Sequence, residues 1–73
     1  MNLNKLNGMI YARYKSQAQM ADALGWSRNK LNTIVNGKRE PDLDEVAAIA
    51  ANLGESLETV ANIFLSRGHQ SGN

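Results

Sequence analysis

SQAQMADALGWSRNKLNTIVNGK, residues 16–38, reads as two short helices joined by a tight turn. From Gln17 to Leu24 the apolar residues Ala18, Met20, Ala21 and Leu24 recur at helical spacing, which gives one face to bury. Gly25 supplies a backbone that can end a helix and turn sharply. Ser27 suits the cap of a second helix, because its hydroxyl can accept one of the unpaired amide hydrogens of a first turn. That helix, about residues 28–36, sets Leu31, Ile34 and Val35 on one side, and Gly37 stops it. Two short helices about a glycine turn form the unit whose second helix enters a DNA major groove.

The other side of the second helix points to its use. Arg28, Asn29, Asn32, Thr33 and Asn36 make one stripe opposite the apolar residues. A helix face meant only for solvent favours Glu, Lys, Gln and Ala. This stripe holds three Asn and a Thr, all weak helix formers, but with groups that match base edges. Arg pairs with guanine, Asn with adenine, and a Thr methyl meets the thymine methyl. Arg28, Asn29, Asn32 and Thr33 are therefore the expected base contacts. Gln17, in the first turn of the preceding helix, is placed to meet a phosphate beside free amides.

The chain resembles the Xre-type helix-turn-helix family, which includes repressor and Cro proteins of lambda-like phages. The likeness runs from Ser16 to Glu58, and the opening LNKLNGMIYARYKSQAQMADALGWSRNKL is most similar to small phage-like Cro regulators. Gln17 matches the Gln that opens the family's second helix, and Asn36, Gly37, Lys38, Arg39 and Pro41 match its exit from the recognition helix. Two departures stand out. The loop before Ser16 is short, and Val35 occupies a position where a Glu often pairs with a helix-one Arg. The resemblance implies a compact all-α domain of five helices with a lambda-repressor-like fold. It also implies a homodimer, at least on DNA, and a near-palindromic operator.

Charge agrees with a DNA partner. The formal net charge is only +1, but up to residue 39 seven basic residues face one acidic residue (+6), and after it one faces six (−5). Such a split gives the molecule a field with a direction. Lys15, Ser27, Lys30, Asn36, Lys38 and Arg39 join Gln17 as expected phosphate contacts.

A first helix is expected from about Asn4 to Tyr14, with Leu3, Leu6, Met9 and Ile10 inward, Tyr11 and Tyr14 at the rim, and close packing to account for Gly8. Trp26 reads as a core plug between helices two and three. Asp42 with Glu45 has the spacing of a capping box and opens helix four. Its buried face is read as Leu43, Val46, Ala47, Ile49, Ala50 and Leu53, and Gly54 ends it. Ser56 caps a fifth helix over residues 57–66, with Leu57, Val60, Ala61, Phe64 and Leu65 apolar. These are more than one small core face needs, which makes Phe64 and Leu65 candidates for a dimer contact. Gly68 is expected to end the domain (1–68), leaving 69–73 as a flexible polar tail that contains the only His.

An enzyme is not expected. The chain has no Cys, one His and no glycine-rich phosphate loop after a strand, so no catalytic residue, metal site or cofactor is assigned. No apolar run nears a membrane span, and the opening MNLNKLNG lacks a signal-peptide core, so an intracellular location is expected. The rival to a DNA-binding regulator is an antitoxin-like or repressor-modulating module that binds a protein partner through the acidic helices.

Overall fold

The computed structural model describes the backbone of residues 3–71 and the side chains of residues 4–65. Its order is α1 (Leu3–Arg13), α2 (Gln17–Leu24), α3 (Arg28–Val35), α4 (Leu43–Leu53) and α5 (Leu57–Ser71). The fold is all-α, and α1 touches each of the other four helices. Leu6 and Ile10 of α1 meet Met20 and Ala21 of α2 in the core, with Leu31, Ile34 and Val35 of α3. Val46, Ile49, Ala50 and Leu53 of α4 and Val60, Ile63 and Phe64 of α5 close it.

Local chemistry sets the helix ends. The hydroxyls of Ser16, Ser27 and Ser56 accept the amides of Gln19, Lys30 and Thr59 at 3.1, 3.1 and 3.0 Å. Asp42 and Glu45 make both bonds of the capping box, at 2.8 and 2.9 Å. Gly25 caps α2 with φ 75°, and its N–H donates to the carbonyls of Ala21 and Asp22. A side chain is disfavoured in that left-handed conformation, most of all a β-branched one. Gly25→Val should therefore cost more than ~1 kcal/mol in a thermal or urea melt. An undiminished melt would place the essential turn elsewhere.

Several sequence expectations need correction. Leu43 is 70 % exposed, and Ala47 also faces outward. The buried positions of α4 are 45, 46, 49, 50 and 53, an i, i+4 stripe whose phase leaves 43 and 47 on the far side. On α5, Ile63 takes the inward place expected of a neighbour, while Leu57 and Leu65 are exposed. Phe64 is only 5 % exposed and belongs to the core, so it offers no surface for a dimer; Leu65, at 64 %, does.

Two glycines also behave differently from expectation. The helix runs past Gly68 to Ser71, because glycine in a helix costs only ~1 kcal/mol and does not by itself break it. Residues 72 and 73 of the expected tail, and the side chain of His69, lie outside the described residues. Gly8 is not required by close packing, since a Cβ there would meet nothing within 4 Å. Gly8→Ala should therefore stabilise the protein by about 0.5–1 kcal/mol. A lowered melting temperature would show that the open space is filled in solution.

Tyr14 is more than a rim residue. Its hydroxyl lies 3.3 Å from the Asn52 carbonyl and 3.2 Å from Asn52 Oδ1, tying the end of α1 to α4. Tyr11 is exposed.

Candidate nucleic-acid interface

With Leu31, Ile34 and Val35 buried, α3 has one rotational setting, and Arg28, Asn29, Asn32 and Asn36 are exposed on its outer side. Thr33 is half-buried and its hydroxyl donates to the Lys30 carbonyl at 2.9 Å. Its proton is thus committed to the backbone, and an apolar contact through the methyl is what it has left to offer. The Arg28 side chain is 72 % exposed, and its guanidinium comes no nearer than 3.9 Å to Asp22, itself exposed. So loose a surface pair contributes little and leaves the guanidinium available.

A chain of amides crosses three helices beneath this stripe. Asn36 Nδ2 donates to Asn32 Oδ1 at 3.1 Å, Asn32 Nδ2 to Gln17 Oε1 at 3.3 Å, and Gln17 Nε2 to Asn7 Oδ1 at 3.1 Å. Gln17, the expected phosphate contact, and Asn32, the expected base contact, are thereby held to one another. Gln17, Ala18, Arg28, Asn29 and Asn32 line a shallow depression where α2 meets α3. Asn7 was not foreseen. Its partner is ten residues away on another helix, and no spacing rule within α1 exposes such a contact.

The remaining cations fall into two groups. Lys15 and Lys38 are exposed, and their ammonium groups make no ion pair among the described residues. Lys30 and Arg39 do. Lys30 Nζ is 3.1 Å and Arg39 Nη2 is 2.9 Å from the same oxygen, Oε2 of Glu45. The other oxygen accepts the Asp42 amide, and the Glu45 side chain is 9 % exposed. Lys30 Nζ also stands 4.4 Å from the ring centre of Trp26, which packs half-buried against the core as the plug reading expects. Glu45 thus joins the start of α3, the α3–α4 loop and the start of α4. Position 35 makes no ion pair, since Val35 is apolar and buried.

The Asp42 amide holds the Glu45 carboxyl down at about 2, assisted by hydrogen bonds from Arg39 and Lys30 and the Arg39 charge, while burial opposes the shift. A carboxyl so depressed adds stability above its ordinary value of 4.5, and this is lost as pH falls through about 2. The stability gap between the protein and Glu45→Gln should therefore narrow between pH 5 and pH 2 in urea titrations. A gap constant across that range would mean that the carboxylate is not held as described.

A helix-turn-helix family model matches residues 10–60, more than half of the chain. The chain belongs to the Xre and lambda-repressor-like helix-turn-helix family. This helix-turn-helix protein matches no curated protein and no solved structure. Membership makes it a DNA-binding transcription regulator, of a kind that is typically not enzymatic. Among its described residues no helix is long and apolar enough to cross a membrane.

Proposed function

We propose that this regulator is of the small phage-like Cro type and reads double-stranded DNA sequence-specifically, with α3 in the major groove. The observation that carries the reading is the exposed stripe Arg28, Asn29, Asn32 and Asn36, backed by the buried Leu31, Ile34 and Val35. Arg28, Asn29, Asn32 and Thr33 read bases. Gln17, Lys15, Ser27, Asn36 and Lys38 hold phosphates, with Lys30 and Arg39 beside them. The Gln17–Asn32 bond then makes backbone grip and base reading one mechanical unit.

A single α3 reaches only a few base pairs, so two copies on half-sites about one turn apart supply the needed affinity. Leu65, with Leu57 two turns earlier on the same side of α5, is the apolar surface for pairing. So small a contact leaves the free protein largely monomeric and the dimer formed on DNA. The test is selection of bound duplexes from a random pool. An inverted repeat with half-sites about ten base pairs apart is expected, and a pool without a consensus would refute base reading.

The exposed Leu43, Leu57 and Leu65 on the acidic helices favour a second reading, a module that binds another regulator. That module would show flat, weak duplex binding across salt, whereas phosphate contacts impose a steep slope.

A further inference from the structure

We infer that Glu45 acts as an internal competitor for DNA phosphate, so that Lys30 and Arg39 together pull on the backbone as about one charge instead of two. The inference rests on the DNA-binding reading above and goes beyond it, because an acidic residue of α4 becomes a determinant of binding strength.

The geometry is specific. Both cations share one oxygen of one carboxylate, at 3.1 and 2.9 Å, and the Asp42 amide pins the other oxygen at 2.9 Å. The carboxylate cannot swing away, and with 9 % of its surface exposed it has little water to replace lost partners. Stripping both cations from a nearly buried carboxylate leaves an uncompensated charge, which is strongly unfavourable. An incoming phosphate must therefore share Lys30 and Arg39 with Glu45. Each cation still has donors to share, since their side chains are 36 and 46 % exposed. Lys38 has no such anion among the described ion pairs and offers its full charge.

Salt dependence reads this directly, because each neutralised phosphate contributes ~0.9 to the slope of log K against log salt. The experiment measures binding of the full chain to a duplex of arbitrary sequence between about 50 and 200 mM salt. Lys38→Ala should lower the slope by roughly one unit. Lys30→Ala or Arg39→Ala should each do the same, because Glu45 then neutralises the cation that remains, and the double variant should lose no more than either single one. Glu45→Gln, which keeps an acceptor for the Asp42 amide, should steepen the slope by about one unit, so that its affinity relative to the unmodified protein rises about threefold as salt falls from about 200 to 50 mM.

A double Lys30→Ala, Arg39→Ala variant that loses about two units, the sum of its single variants, would overturn the inference, even though duplex binding itself stands. So would weakened binding by a folded Glu45→Gln. Should that variant unfold, the comparison of the two single variants with the double one still decides. If the unmodified protein shows no salt-dependent duplex binding at all, the DNA reading falls and this inference with it.

Discussion

Phe64→Ala should lose about 3–5 kcal/mol of stability, the ordinary cost of emptying a large aromatic site. Phe64 is 5 % exposed and sits with Val60 and Ile63 in the core that α5 closes over α1 and α4. A domain of 73 residues has a small core and stability toward the low end of the usual range. A loss of this size should leave much of the protein unfolded at room temperature, as urea melts would show. Leu65→Ser is the companion variant. It removes an exposed side chain, so its melt should be unchanged while cooperative binding to a two-site duplex falls. Were Phe64→Ala to melt normally and lose cooperativity, Phe64 would be the surface residue and the core drawn here would be wrong.

Arg28→Ala should cost about 1–3 kcal/mol in binding to the selected duplex and relax the preference at one base pair, a G·C. The reason is geometric. Arg28 opens α3, and among the described residues its guanidinium is held by nothing closer than Asp22 at 3.9 Å, so it can turn its fork to a guanine without breaking a strong bond. Its removal should not lower the melting temperature, because a pair this exposed adds little. Repeating the duplex selection with the variant is the check. An unchanged consensus would remove Arg28 from the reading face.

Much of this architecture is legible in the chain because the signals are local. Ser27 and the Asp42–Glu45 pair announce helix starts through atoms three residues apart, and Gly25 announces a turn through its own backbone. The outward stripe of α3 is legible too, since Leu31, Ile34 and Val35 fix the phase of an eight-residue helix. Phase is where the reading failed on α4 and α5. Leu43 looked like the first buried residue of α4, yet the inward position near it belongs to Glu45, a charge. Lys30 and Arg39, brought from another helix and a loop, join the Asp42 amide in making that burial tolerable. Spacing within one helix carries no trace of partners fifteen and six positions upstream. The Asn7–Gln17 bond was hidden for the same reason. Gly8 and Gly68 misled in the opposite way. A glycine permits a turn or a close approach without demanding either, and both stand inside helices here.

The stacking of Lys30 on Trp26 has a practical side. Trp26 is the only indole in the chain, and an ammonium lies 4.4 Å from the centre of its ring. Ultraviolet emission excited at the indole band thus comes from one known spot, the joint between α2 and α3. A cation over the ring shifts and dims that emission. Any event that draws Lys30 toward a phosphate changes the colour and brightness of a single fluorophore, so the molecule carries its own optical gauge without an attached dye.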